Sequence, residues 1–180
     1  KTMQFNRLGC LGHYYSGMLD IYTDLTRHYA CFGGHMELLE LEELAALCRQ
    51  VEEQSIGERL NLFADGFDIQ PDCSADELRR AAVTSVALDR LVDKYRLGSL
   101  AYYYKGTGNE ENESVISSMI LGNSLLTARG VPVAGEYEIK NAQAMKIMDG
   151  FGAGGSFTEY YAMDYREDVV LMGHDGPGHI

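Results

Sequence analysis

The final part of this sequence holds three side chains whose types could do chemistry together. Glu136 follows Gly135 at the end of an apolar run, Glu159 lies in an aromatic segment, and His174 follows a second apolar run. Two carboxylates and an imidazole form a ligand set that suits Mn²⁺ or a similar divalent ion. The residue types therefore favour a metal site, although the intervals between the three residues match no compact metal-binding motif.

Each of these residues has a simpler explanation when it is considered alone. A carboxylate in the first turn of a helix, the position predicted for Glu136, is stabilised by the helix dipole. A glutamate in a strand, such as Glu159, usually faces solvent. A loop histidine such as His174 is more often hydrogen-bonded than bound to a metal. From residue types and spacing alone, the metal site is therefore one hypothesis, and these separate explanations for the three residues are the alternative.

Alternating strands and helices are predicted to position the three residues. Short apolar runs indicate strands at residues 7–13, 35–39, 99–104 and 131–135, and a hairpin at 157–165 and 169–173. Helical spacing of apolar residues indicates helices at about 17–32, 40–53, 56–64, 114–129 and 137–149. The capping box of Ser74 and Glu77 opens a further helix, which Gly98 is predicted to end.

The predicted fold class is α/β. The pattern indicates a three-layer, Rossmann-like open sheet that is mostly parallel, formed by residues 1–150 as a central domain. Residues 151–180 are predicted to add a C-terminal β-hairpin extension, because the hairpin breaks the alternation of strands and helices. Its strands would be either an antiparallel edge of the sheet or the first part of a following domain.

The carboxyl ends of the predicted strands are the places where an open parallel sheet binds ligands. Besides Glu136, the side chains at those ends include His13, Tyr14, Tyr104 and Lys105. Because an aromatic ring can stack on a sugar, His13, Tyr14 and Tyr104 are candidate substrate-binding residues. Tyr104 ends the run Tyr102-Tyr103-Tyr104, and this run is also compatible with a buried strand that has one exposed ring. The glycines near the first strand do not form the dinucleotide-binding fingerprint, which disfavours a nucleotide site.

Charge and composition narrow the classes of partner. A hydrophobic fraction of 46% favours a folded core over disorder, and a net charge of −12 disfavours nucleic acid and anionic membranes as partners. No apolar run approaches the ~18 residues of a membrane-spanning helix, and no signal peptide is recognisable. The four cysteines are widely spaced and are predicted to be buried or half-buried free thiols in a reducing compartment.

The segment from Gly130 to His174 resembles the L-arabinose isomerase family and, more loosely, the L-fucose isomerases. The resemblance is carried by Ala-Gly-Glu at 134–136 with Lys140 and Ala142, by Gly-Gly-Ser-Phe at 154–157 with Glu159, and by Val-Leu at 170–171 with Gly-His at 173–174. It extends less specifically over nearly all of the chain. Two departures lie beside the motifs: this sequence has Tyr137-Glu138 where the family usually has Gly-Asp, and Asp175-Gly176 where it commonly has Met-Leu.

The resemblance implies that this chain is the central α/β domain and the start of the C-terminal domain of a metal-dependent sugar isomerase. Glu136, Glu159 and His174 would be ligands of Mn²⁺ or another divalent metal, and the two glutamates would also be the catalytic residues. The implied reaction interconverts an aldose such as L-arabinose and its ketose through an enediol. A fourth ligand, a histidine, would lie outside this chain, so the chain alone is expected to be inactive.

The implied protein is a cytoplasmic homo-oligomer that binds a small-molecule sugar in active sites shared between subunits, with no nucleic-acid or membrane partner. Two other hypotheses remain. The departures after Glu136 and His174 would also fit a non-catalytic sugar-binding or assembly module that kept the fold. A metal-dependent hydrolase would use the same ligands, but no water-activating group is recognisable in the sequence.

Overall fold

Nearly the whole chain is described by a computed structural model, which covers residues 2–106, 108–174 and 176–180. Lys1, Thr107 and Asp175 lie outside the described residues. Two of them, Lys1 and Thr107, belong to the predicted domain 1–150, and Thr107 lies in its loop after the third strand. Asp175 is the first residue of the departure from the family that follows His174.

Four parallel strands form the central sheet, as the alternation of strands and helices predicts. They are β1 (Arg7–Gly12), β2 (His35–Leu39), β3 (Ser99–Tyr103) and β4 (Val133–Ala134), in the order β2-β1-β3-β4. The chain moves from β1 to β2 on one side and then crosses to β3 on the other side of β1. The carboxyl ends of β1 and β3 therefore flank the point where the strand order reverses, which is where open α/β sheets bind ligands.

The helices and the hairpin complete the α/β fold class, which is confirmed. The helices are α1 (Thr2–Phe5), α2 (Leu25–Phe32), α3 (Leu41–Cys48), α4 (Glu53–Gly66), α5 (Ala75–Tyr95), α6 (Glu110–Ser117), α7 (Ile120–Ala128) and α8 (Ile139–Gly150), with a 3₁₀ turn at Leu19–Ile21. The predicted C-terminal hairpin is formed by β5 (Glu159–Asp164) and β6 (Val169–Gly173), which pair antiparallel. These two strands form a sheet of their own rather than an edge of the central sheet.

Each face of the central sheet has its own hydrophobic core. On one face, the buried side chains of Leu11, Leu100 and Val133 pack with those of α3, α5 and α7. On the other face, Leu8 and Cys10 of β1 pack with α8 and with the region that follows β4. The alternation of side chains along each strand sends neighbouring residues to opposite cores. Helices on both faces produce the three layers that the sequence predicts.

The ends of α5 show which of two local predictions is correct. The hydroxyl of Ser74 accepts a hydrogen bond of 3.2 Å from the backbone N–H of Glu77, so the predicted N-terminal cap is present. The carboxylate of Glu77 pairs with Arg80. The prediction that Gly98 ends the helix is wrong, because the helix ends at Tyr95 and Arg96 takes the left-handed conformation with φ of 52°.

The helix predicted at about 17–32 begins later than expected. Asp24 accepts hydrogen bonds of 3.0 Å from the backbone N–H groups of Thr26 and Arg27, and this N-cap starts α2. The apolar spacing predicted the buried side only in part, because Leu25 packs against a core as expected. Tyr29 is 60% exposed, whereas His28 is only 8% exposed. The helix therefore packs through a polar residue that the periodicity did not select.

The helix predicted at about 114–129 is divided into α6 and α7. Its break lies at Ser118, whose hydroxyl shares a hydrogen bond of 2.6 Å with Thr84 of α5 and also bonds to the carbonyl oxygen of Ser114 at 2.9 Å. Hydroxyl groups that bond to nearby carbonyls compete with the helical hydrogen bonds. A tertiary contact with α5 thus interrupts a segment for which the local sequence pattern predicts one continuous helix.

The hairpin exposes both of its faces, but its base is fixed to the central domain. Tyr160 is 66% exposed and Leu171 is 61% exposed. Beside the base, Phe157 is buried in the core that contains α8. After the hairpin, the backbone N–H of Gly178 donates to the hydroxyl of Ser124 on α7 at 3.2 Å. These contacts hold the residues at the hairpin base in a defined place.

The cysteine prediction is right in one respect and wrong in another. All four cysteines are free thiols, and Cys10 is buried. Cys31 and Cys73 are exposed, so the prediction that every thiol is at least half-buried is wrong for these two. Both lie outside the sheet, where no core is available to cover them. Among the described residues, no helix is both long and apolar enough to cross a membrane.

Candidate functional site

The carboxyl end of β1 is joined to the carboxyl end of β3 by His13. Its Nδ1 lies 3.0 Å from the carbonyl oxygen of Tyr14, and its Nε2 lies 3.4 Å from the backbone nitrogen of Lys105. Because a carbonyl only accepts and a backbone N–H only donates, these partners select the neutral ring with the proton on Nδ1. Both ring nitrogens are thus engaged with backbone groups. His13 connects the two loops at the switch point of the sheet.

Tyr14 is held by contacts inside the protein. Its hydroxyl bonds to the backbone carbonyl and N–H of Thr23, each at 3.2 Å. Its ring packs against Tyr22 at 4.6 Å and Tyr137 at 4.7 Å between centroids. These contacts explain the position of Tyr14 without a ligand. Burial is the largest cause that raises the pKa of its phenol.

Glu136 is placed by a tight turn between β4 and α8. The backbone N–H of Glu138 donates to the carbonyl oxygen of Gly135 at 2.9 Å, and both residues between them have positive φ, 56° for Glu136 and 61° for Tyr137. The carboxylate of Glu138 then caps α8 by accepting from the backbone N–H of Lys140 at 3.2 Å. The turn leaves Glu136 partly exposed while Tyr137 is buried.

The hairpin brings Glu159 and His174 to the same place as Glu136. Glu159 is the first residue of β5 and pairs in register with Gly173, so His174 follows the residue opposite Glu159. The ring of His174 packs on the ring of Phe157 with centroids 4.3 Å apart. A methyl group built on Gly135 would lie 3.6 Å from Cε1 of His174. The imidazole therefore covers the backbone directly before Glu136.

The charges of Glu159 and His174 both act on the pKa of Glu136. Burial is the largest cause that raises the pKa of Glu136, and the charge of Glu159 and then that of Asp20 raise it further. His174 is the cause that lowers this pKa. Two carboxylates close together disfavour their joint ionisation unless a cation is near them. A positive charge at this point of the sheet edge would therefore stabilise the ionised form of Glu136.

His174 also has a nitrogen whose partner is missing. Its Nδ1 is buried and has no hydrogen-bond partner among the described residues, and a buried polar atom without a partner is costly. A metal ion on this nitrogen would satisfy it, and two carboxylates with an imidazole suit Mn²⁺. In the described part of the chain, however, no three His, Cys, Asp or Glu side chains stand close enough to hold an ion as they are placed. The types of donor suit such an ion, but the side chains are not arranged around a common point.

Tyr103 belongs to this site although it is not among the predicted site residues, whereas its neighbour Tyr104 is. The ring of Tyr103 contacts two rings of the segment that follows β1. Its centroid lies 5.8 Å from that of His13 and 4.9 Å from that of Tyr15. Burial is the largest cause that raises the pKa of Tyr103, with smaller contributions from Tyr15 and Glu136. Tyr104 contacts His13 at 5.7 Å. Alternation along β3 could have identified Tyr103, because Tyr102 is its buried neighbour.

Comparisons with known proteins do not assign the chain to a family. No family model matches it. No curated protein matches it either.

Proposed function

We propose that this chain supplies part of the active site of a metal-dependent aldose–ketose isomerase, with Glu136, Glu159 and His174 as metal ligands. The observation that carries the proposal is the convergence of these three residues at one corner of the sheet edge. Glu159 and His174 both act on the pKa of Glu136, and Nδ1 of His174 has no hydrogen-bond partner in the part of the chain that the structure describes. Residues that are distant in sequence thus share one small region.

The residues of this chain would divide the work of such a reaction. A divalent ion held there would polarise the carbonyl group of an open-chain sugar. Glu136 or Glu159 would take the proton from C2 and return it to C1. A carboxylate with a raised pKa, as Glu136 has, is a better base near neutral pH than an ordinary one. The buried ring of Phe157 holds the imidazole of His174 and keeps water from one side of it.

Binding of Mn²⁺ to the 180-residue chain tests the ligand assignment. Electron paramagnetic resonance of free Mn²⁺ gives the affinity, which we expect to be weak but measurable. Glu136→Gln, Glu159→Gln and His174→Gln should each weaken it by more than about tenfold, because outer-sphere changes alone cost about 10–100-fold. Glu167→Gln removes a charge from the exposed hairpin turn and should bind Mn²⁺ like the wild type. Equal affinity in all four variants would contradict the assignment.

Activity is tested on the full-length protein that contains this chain. We expect a panel of aldoses with Mn²⁺ to reveal isomerisation, and Glu136→Gln or Glu159→Gln to abolish it. Near-normal turnover in either variant would contradict the catalytic role. The competing proposal is a non-catalytic sugar-binding module, which the Tyr137-Glu138 departure favours. Under that proposal, the full-length protein would bind a sugar in calorimetry, and the sugar would take up no deuterium from D₂O.

A further inference from the structure

The turn that carries Glu136 has a conformation that its own residues do not favour. Glu136 and Tyr137 occupy its two central positions, and both have positive φ. Turns of this kind normally carry glycine, asparagine or aspartate at these positions, because a larger side chain crowds the backbone there. Local preference would open this turn. The conformation must therefore be imposed by contacts with the rest of the protein.

Those contacts are made by Tyr137. Its side chain is only 6% exposed and belongs to the core on the α8 face of the sheet. Its ring meets the ring of Tyr14 edge-on, at 4.7 Å and 66°, and its hydroxyl donates to the carbonyl oxygen of Cys10 at 3.5 Å. Its backbone N–H donates to the carbonyl oxygen of Tyr102 at 2.9 Å. The residue is thus fixed to β1, to β3 and to the loop after β1.

The anchoring of Tyr137 determines where the preceding side chain goes. Tyr137 is buried, whereas Glu136 is partly exposed. Glu136 directly follows Gly135, and a Cβ built on Gly135 would lie 3.6 Å from Cε1 of His174, so the turn lies beside the hairpin base. If the backbone at Tyr137 returned to negative φ, the direction of the Glu136 side chain would change with it. The ring of Tyr137 is too far inside the core to meet a ligand itself.

We propose that Tyr137 is the positioning residue of this site: its buried ring holds the left-handed turn that directs the Glu136 carboxylate toward Glu159 and His174. The metal-binding part of this statement rests on the proposed function. The mechanical part, that the ring holds the turn, does not depend on it. The two parts are therefore tested by different measurements on the same variants.

Hydrogen exchange tests the mechanical part without any metal. The reporter is the backbone N–H of Glu138, which closes the turn on Gly135. Tyr137→Phe keeps the ring and should preserve the protection of this amide. Tyr137→Gly removes the backbone conflict but also removes the anchor, and should lower the protection factor by roughly tenfold or more. Unchanged protection in Tyr137→Gly would overturn the proposal, because it would mean that the turn needs no side-chain anchor.

Mn²⁺ binding tests whether the turn positions Glu136 for its proposed role. Tyr137→Phe should bind like the wild type, and Tyr137→Gly should bind more weakly by about tenfold, as expected when a ligand loses its orientation. The control is Phe63→Leu, which removes packing from a separate core cluster. This control should destabilise the fold while leaving both readouts unchanged. If it weakens Mn²⁺ binding as much as Tyr137→Gly does, the effect is general loosening and the proposal is overturned.

The two readouts separate the two proposals. If the wild type binds no Mn²⁺, the proposed metal site is wrong, and the exchange of the Glu138 amide still decides whether Tyr137 holds the turn. If Glu136→Gln weakens the binding of Mn²⁺ but Tyr137→Gly leaves the affinity unchanged, the proposed metal site is supported. The positioning role of Tyr137 is then refuted.

Discussion

Replacement of His28 by leucine should stabilise the protein, which is unusual for a change at a buried position. His28 is 8% exposed, and neither of its ring nitrogens has a hydrogen-bond partner within residues 2–106, 108–174 and 176–180. Its closest aromatic neighbour is Phe32, with ring centroids 5.0 Å apart. A neutral imidazole always carries one N–H donor and one acceptor. The folded state therefore leaves polar atoms without partners, whereas in the unfolded state water satisfies them.

The size of the effect follows from these unpaired atoms. An unsatisfied buried polar group costs about 1–3 kcal/mol, and leucine is a slightly better helix former than histidine. Imperfect packing of the new side chain offsets part of the gain, at a cost below about 1.5 kcal/mol. The expected net stabilisation of His28→Leu near pH 7.5 is about 1 kcal/mol. For a chain of this length, that raises the melting temperature by roughly 2–4 °C.

The stabilisation should grow as the solution becomes acidic. Burial lowers the pKa of His28 below its ordinary value of 6.5. In the pH range between 6.5 and this lower value, the unfolded chain binds a proton on His28 that the folded chain does not bind, so stability falls as pH falls. The nearby cleft contains Asp24 and Arg27 from the same helix and Lys140 from α8. Burial is the cause of the lowered pKa.

Urea unfolding followed by circular dichroism at about pH 7.5 and about pH 5.5 measures both effects. The difference between His28→Leu and the wild type should be larger at the lower pH. His35→Gln is the matched control, because His35 is exposed with 54% of its side chain accessible, and its loss should not change the pH dependence in this way. A His28→Leu protein that is less stable than the wild type, or a difference that shrinks with acidity, would refute the reasoning.

Two further predictions concern the sheet edge and the thiols. Gly12→Ala should destabilise the protein by about 3 kcal/mol or more, because Gly12 has φ of 88° and a Cβ there would overlap the carbonyl oxygen of Tyr103. The shift of the urea midpoint measures this loss, and a variant as stable as the wild type would contradict the prediction. A thiol reagent should modify Cys31 and Cys73 within the time in which Cys10 stays unmodified, because burial raises the pKa of Cys10 to about 12. Mass spectrometry of peptides checks the order, and early modification of Cys10 in the folded protein would contradict it.

Much of the fold was predictable because its signals are local. The apolar runs of β1, β2 and β3 and the antiparallel hairpin follow from short stretches of sequence. The N-terminal cap at Ser74 is equally local, since it needs only the hydroxyl and the backbone three residues later. The parallel arrangement follows from the alternation of strands with helices, because a parallel connection needs a crossover of that length.

Helix boundaries were less predictable because tertiary contacts decide them. Apolar spacing favoured one long helix before Phe32, but the N-cap at Asp24 begins the helix later, and His28 rather than Tyr29 faces the protein. The break between α6 and α7 depends on Thr84, which comes from a helix much earlier in the chain. Periodicity contains no information on such partners.

For the candidate site, the sequence determined the kinds of side chain and the strand ends that carry them. It identified Glu136, Glu159 and His174 as a donor set and placed His13, Tyr14 and Tyr104 beside the sheet edge. Their metal-binding and substrate-binding roles stay predictions.

Only the tertiary structure decided which of these residues interact. The central sheet brings Glu136 to the edge, and the hairpin base brings Glu159 and His174 close enough for their charges to act on the pKa of Glu136. It also decided that Tyr137 takes a left-handed conformation, because burial of its ring outweighs the local preference of the backbone. A sequence pattern reports what each residue prefers by itself. Proximity and strain depend on how distant segments pack, and packing exists only in the folded chain.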